Sequence, residues 1–242
     1  MRVANSVYVL CIPRGPEDAD NYLNLTLIVD EENGTALVDA GLPDQTEVIS
    51  AALTEAGIGV RDLRLIIFTH QDLDHVGSGA ALVRQSGAWV LAHSADAPYI
   101  GGSLRPLKPS PEMLEERPHM RKLLEHLEPV AVDEQVENGT RLDLAGGTQV
   151  VFTPGHTPGH ISLYLEGSKV LVAGDALTAE RGYLNGPNPS ATLDMRTAMQ
   201  SVKRLADFDV DTIVCYHGGV VSEDANGQLR RVIQEASRNR IE

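Results

Sequence analysis

The chain has 242 residues, enough for one large domain with a substantial core, and its 20 Lys and Arg against 34 Asp and Glu give a formal charge of −14. That charge repels phosphate backbones and anionic lipid, so nucleic-acid and membrane partners are excluded on average, and no apolar run approaches the roughly 20 residues of a membrane helix. Met1-Arg2-Val3-Ala4-Asn5-Ser6 does not read as a signal peptide, and Cys11 and Cys215 are too few and too far apart for a disulfide framework, so the expectation is a cytoplasmic protein of one domain over 1–242.

Residues 7–12 read as an opening strand. Residues 22–30 alternate apolar and polar, Glu32-Asn33-Gly34 turns the chain, and 35–39 returns antiparallel to end on Asp39. Over 45–56, Val48, Ile49, Ala52, Leu53 and Ala56 recur at helical spacing, closed by Gly57. The apolar run 64–68 suits a buried strand; it leads into Thr69-His70-Gln71-Asp72-Leu73-Asp74-His75, and a helix resumes after Gly77 and Gly79. Residues 88–92 form a strand ending at His93, which reads as structural. Residues 101–118 carry Gly101, Gly102, Pro106, Pro109, Pro111 and Pro118 and read as an irregular lid, with a helix over 120–127.

The second half turns β-rich. Strands are expected at 130–132, 140–144, 148–153, 161–165 and 169–173, separated by Asn138-Gly139, Gly146-Gly147 and Glu166-Gly167. An amphipathic helix spans 195–208, a last strand 212–216 ends at His217, and a helix over 229–236 closes the chain. Two such halves stack most simply as sheet on sheet with helices outside.

His70, Asp72, Asp74 and His75 crowd into six residues. Two carboxylates and two imidazoles that close need a cation among them if they are buried. Three more polar points also fall at strand ends: Pro154-Gly155-His156 with His160 four residues on, Gly174-Asp175, and His217. That inventory of imidazoles and carboxylates suits a pair of transition metals.

With these residues in this order, the sequence resembles the metallo-β-lactamase-fold hydrolase superfamily. The resemblance implies an α+β fold, a four-layer αββα sandwich with a dinuclear metal site at the sheet edge. It implies that His70, Asp72 and His156 hold one metal, that Asp74, His75 and His217 hold the other, and that Asp175 bridges. Zinc is the first expectation for both ions, with manganese or iron as alternatives. Asp74 would also be catalytic, orienting the nucleophile and shuttling its proton.

The family's common loop has His where this chain has Asp72, although flavodiiron proteins also have a carboxylate there; true β-lactamases lack an equivalent of His75. Two metals at +4, three aspartates at −3 and a hydroxide at −1 give a neutral centre, and the extra oxygen ligand at Asp72 tilts selection toward harder ions. His160 and Asp39 read as residues that orient ligands, and Tyr183 and Asn185 as candidates to reach substrate. The implied activity is hydrolysis of an ester, thioester or lactone small molecule by a metal-bound hydroxide. A glutathione thioesterase is disfavoured, because the chain is short for a helical glutathione-binding domain. The competing readings are an iron-dependent redox or sulfur-handling enzyme and a non-catalytic metal-binding module.

Overall fold

In the computed structural model, residues 1–15, 21–116 and 118–238 are described. The first sheet takes seven strands in chain order: β1 (Arg2–Ala4), β2 (Val7–Pro13), β3 (Tyr22–Asp30), β4 (Gly34–Val38), β5 (Leu63–Ile67), β6 (Trp89–His93) and β7 (Glu134–Val136). Pairing is antiparallel from β1 to β4 and parallel from β4 to β7, where longer crossovers join neighbours. Those crossovers hold α1 (Thr46–Glu55), α2 (Leu73–Val76), α3 (Gly79–Ser86), α4 (Ala97–Ile100), α5 (Pro111–Glu116) and α6 (His119–Glu125).

The second half supplies β8 (Arg141–Leu142), β9 (Thr148–Phe152), β10 (Ile161–Leu165), β11 (Val170–Gly174), β12 (Thr178–Glu180), β13 (Tyr183–Asn185), α7 (Met195–Leu205), β14 (Thr212–Cys215), β15 (Gly219–Val221) and α8 (Ala225–Arg238). Its sheet runs β15-β14-β11-β10-β9-β8, and β12 and β13 make a separate hairpin.

Alternation along the strands divides the side chains between two faces. Val9, Ile28, Val38 and Ile67 of the first sheet meet Val150, Leu163, Val172 and Val214 of the second in the central core. On the outer side of the first sheet, Leu27, Leu37 and Ile66 pack against Ile49 and Leu53 of α1 and Leu82 of α3. Beyond the second sheet, Leu171, Ala173 and Ile213 pack against Val202 and Leu205 of α7 and Leu229 of α8. Each such fully buried aliphatic is worth about 1.5–3 kcal/mol. The layers are helix, sheet, sheet, helix.

Three local expectations shift. The strand expected at 130–132 forms instead at Glu134–Val136, because Val130 is drawn into the core beneath α3 and α4. The lid segment 101–118 is not irregular throughout, since α5 lies within it. The β12–β13 hairpin was not expected.

The strand ends bring the polar residues to one edge of the sandwich. There the two sheets are tied together: Ile161 N–H donates to the Thr69 carbonyl at 2.9 Å, and Asn24 N–H to the Tyr216 carbonyl at 3.0 Å.

Candidate metal centre

β4 is followed by Asp39, which is buried and held at φ 66, a left-handed conformation that Asp tolerates better than most residues. Its Oδ1 accepts the Thr69 N–H at 2.8 Å, and its Oδ2 lies 2.9 Å from His75 Nδ1. His70 Nδ1 lies 2.9 Å from Thr69 Oγ1. These partners assign the ring proton of each histidine to Nδ1 and turn both Nε2 atoms toward the same space. Asp72 precedes α2, the single turn that carries Asp74 and His75.

The loop between β9 and β10 brings His156 and His160. At Gly155 (φ +129) an added Cβ would lie 2.1 Å from the backbone nitrogen of Ala198, so only glycine lets this loop press on α7. Asp175 follows β11, where a Cβ at Gly174 would sit 2.7 Å from His160 Nε2. His160 Nε2 accepts the Asp175 N–H at 2.9 Å, while its Nδ1 meets Thr153 Oγ1 at 2.8 Å. His160 therefore orients Asp175 through its backbone, and Asp39 orients His75 directly.

His70, His156 and Asp175 each offer a donor atom within 4.8 Å of the others, and so do Asp74, His75 and His217. His217 Nε2 lies 3.4 Å from Asp175 Oδ2 and 3.5 Å from Asp74 Oδ2, and His156 Nε2 lies 3.4 Å from Asp175 Oδ2. His70 Nε2, His75 Nε2, Asp72 Oδ1 and Asp175 Oδ1 are buried with no hydrogen-bond partner among the described residues. Unsatisfied buried polar atoms cost about 1–3 kcal/mol each, and more for charged groups, so four in one place mark a cation site. The donor set fits a divalent metal.

The charges agree. Burial alone would raise the carboxyl pKa of Asp175, but His217 and His75 outweigh it and hold it well below the usual range. Burial also works against charge on His75, yet Asp39 and Asp175 push its imidazole well above the ordinary value. His217 is raised in the same way by Asp175 and Asp74. Burial and the neighbouring His70 and His156 keep His160 neutral, as its accepting Nε2 requires.

Asp72 lies beside His70 and His156 and also meets a partner that the sequence does not announce. Its Oδ2 lies 3.0 Å from His156 Nε2 and 3.3 Å from His70 Nε2, but 2.5 Å from Lys108 Nζ. Lys108 is 7 % exposed and comes from the lid segment. In this arrangement one lysine at +1 stands against Asp72 at −1. Tyr183 and Asn185 depart from the sequence expectation. They flank the buried Leu184 on β13, so both point away from it, and Tyr183 is 68 % exposed beside Arg181 and Arg231 in a separate surface cleft. His93 stacks on Phe152 at 4.1 Å, away from the centre.

Sequence reading also missed Asp96, buried just after β6. Its carboxylate accepts the Gln71 N–H (3.0 Å), Gln71 Nε2 (3.2 Å), Thr157 Oγ1 (2.7 Å) and the Gly159 N–H (2.8 Å), clamping the two ligand-bearing loops together. Nothing local in the sequence marks Asp96 or Lys108, since their partners lie 25–83 positions away. Arg14 Nη2, 3.3 Å from Asp74 Oδ2, is a third such residue.

The centre opens into a cavity of about 370 Å³ lined by Arg14, Asp74, Asp175, Thr178, Asn188 and His217. Lys108 and Pro109 also border a neighbouring cavity of about 570 Å³, walled largely by Tyr99, Ile100, Leu104, Leu114, Leu124 and Leu127.

The sequence profile of the metallo-beta-lactamase superfamily matches residues 20–217. The chain belongs to that superfamily. YflN of Bacillus subtilis strain 168, whose name describes a metallo-hydrolase, is 30% identical over 209 residues, 78% of this chain and 76% of its own. A hydroxyacylglutathione hydrolase of Synechococcus sp. is 33% identical over 212 residues, 84% of this chain and 66% of its own. An N-acyl homoserine lactonase of a Bacillus species is 29% identical over 207 residues, 83% of this chain and 74% of its own. The crystal structure of the family protein TTHA1429 from Thermus thermophilus superposes with a TM-score of 0.76 at 24% identity, covering 97% of this chain and 80% of that one. The chain is a superfamily metallo-hydrolase with the four-layer αββα fold. Among the described residues no helix is long and apolar enough to cross a membrane.

Proposed function

We propose that this metallo-hydrolase cleaves an ester, thioester or lactone whose acyl or aromatic part is apolar. The observation that carries the reading is the adjoining pair of cavities: the polar one opens from the candidate ligands, and the apolar one begins at the same Lys108 and Pro109. Ligand sites that are mostly apolar with a few convergent polar groups bind small molecules in this way.

A bound divalent ion supplies Lewis acidity and lowers the pKa of a ligated water. The protein's own groups do the rest. Asp74 Oδ2, partly open to the polar cavity at 17 % side-chain exposure, would accept the proton given up by the attacking water and pass it to the leaving group. Thr178, Asn188 and Ser190 offer hydroxyl and amide groups to the polar end of the substrate. Leu104, Leu114, Leu124 and Leu127 exclude water from its apolar end.

The names of two relatives describe hydrolysis of a glutathione thioester and of an acylated lactone. The apolar cavity favours the acylated lactone or another apolar ester over a charged glutathione conjugate. The test is metal analysis of the purified protein followed by a panel of lactones, aryl esters and S-acyl thioesters of graded chain length. The expected result is one class hydrolysed with kcat/KM rising with chain length. A metal-loaded protein that hydrolyses none of them overturns the reading in favour of a redox enzyme or a metal-binding module.

A further inference from the structure

Lys108 is placed where few lysines are found, with its ammonium buried among candidate metal ligands. Its Nζ lies 2.5 Å from Asp72 Oδ2, 2.9 Å from His156 Nε2 and 2.7 Å from the Ala191 carbonyl oxygen. An ammonium has three N–H donors and no acceptor, so these three partners satisfy it in full. The arrangement also sets the state of its neighbours. Asp72 Oδ2 and His156 Nε2 stand 3.0 Å apart, and with the ring proton of His156 on Nδ1, beside Thr192 Oγ1 at 3.3 Å, both present lone pairs that a cation between them takes up. In this chain the lysine supplies that cation.

The segment is tied so as to deliver it. The Leu107 N–H donates to Gln71 Oε1 at 3.0 Å, and the same Gln71 side chain donates to Asp96, which anchors the loop from His70 to His75. The Gln71 side chain thus fixes the lysine one residue along. The other trio is differently placed: among the described residues, Asp74, His75 and His217 have no lysine between them, and the cation beside them, Arg14, meets Asp74 Oδ2 at 3.3 Å with its side chain 39 % exposed.

We propose that Lys108 is a built-in cation at the His70–Asp72–His156 position, so that the resting centre holds one metal, at Asp74, His75 and His217, and one ammonium. The inference rests on reading the centre as a metal site. A metal enters the first position only by taking Asp72 Oδ2 and His156 Nε2 from Lys108, which then swings toward the apolar cavity it already borders. Asp72 and Lys108 act as one unit on this view: their charges of −1 and +1 cancel and stand together for the neutral histidine common in the family's loop.

The experiment is equilibrium dialysis of metal-free protein against buffered zinc, with zinc per chain read by elemental analysis and no substrate present. Wild type should bind one tight equivalent and a second that is weaker by about 100-fold or more, since each charge-assisted contact surrendered by the lysine is worth about tenfold in an equilibrium constant. Lys108→Met keeps the length and removes the charge, and it should bind the second equivalent at least about tenfold more tightly than wild type. The wild-type protein gives an independent reading should that variant fold poorly. Acetylation of lysines followed by peptide mass spectrometry should find Lys108 protected at one equivalent of zinc and modified as the second is forced in. Two equivalents of equal affinity in wild type, or Lys108 labelling indifferent to zinc, overturn the proposal while leaving the hydrolase reading intact. Wild type that binds no zinc, manganese or iron overturns both.

Discussion

The carboxylate of Asp39 lies 2.9 Å from Nδ1 of His75, and its other oxygen holds the Thr69 N–H at 2.8 Å. One buried side chain thereby sets both the tautomer of a candidate ligand and the path of the loop that carries it. Partners of this kind raise the basicity of a ligating imidazole as well as orienting it. Asp39→Asn keeps the shape and tolerates the left-handed backbone, but it weakens the hold on the His75 proton. Metal affinity should fall by about 10–100-fold with little change in fold, checked by zinc competition with a chromophoric chelator and by circular dichroism.

Asp96 makes a different prediction, because its work is mechanical. Four donors from two loops converge on its carboxylate. Asp96→Ala leaves buried donors unpaired and should lower unfolding stability by about 3 kcal/mol or more, read from urea denaturation. A loss below about 1 kcal/mol would show that the loops hold their geometry without the clamp.

Metal retention should depend on pH with a definite sign. Burial opposes charge on His75 and His217, but carboxylates outweigh it and raise both imidazoles above their ordinary values. Their protonated forms are therefore favoured to higher pH than usual, and a metal must displace those protons. Zinc affinity should fall by about tenfold per pH unit for each proton displaced as the solution is made more acid, measured by competition titration across pH. In the metal-free protein, the stabilisation from these charged pairs is present below the unfolded imidazole value of about 6.5 and is lost as pH rises through the raised folded values.

The apolar cavity predicts a change of preference. Leu127 lines it away from the candidate ligands. Leu127→Trp should fill part of the space, lower kcat/KM for long-chain substrates by about tenfold or more, and spare short-chain ones, since each buried CH₂ excluded forfeits about 0.8 kcal/mol. Equal loss on short and long substrates would place the acyl group elsewhere.

Much of this was legible in the sequence because it is local. The hairpin at Asn33-Gly34, the helical spacing of Ile49 and Leu53, and the ligand-bearing loop from His70 to His75 are all stated within a dozen residues. His156, Asp175 and His217 were found because each follows a strand of strongly apolar character. What stayed hidden depends on partners far along the chain. Lys108 stands among prolines with nothing local to mark it until the fold places it on Asp72, and nothing near Asp96 in sequence marks it until Thr157 and Gly159 arrive. Tyr183 misled for a related reason. Nearness in sequence to Asp175 suggested access to the site, but the β12–β13 hairpin turns the side chain outward.

Metal dependence of hydrolysis tests the central claim most directly. The protein is dialysed against a chelator until elemental analysis finds no metal, then assayed on its best ester or lactone before and after zinc, manganese or iron is returned. The account predicts loss of activity with the metal and recovery with its return. Full hydrolysis by metal-free protein would contradict it.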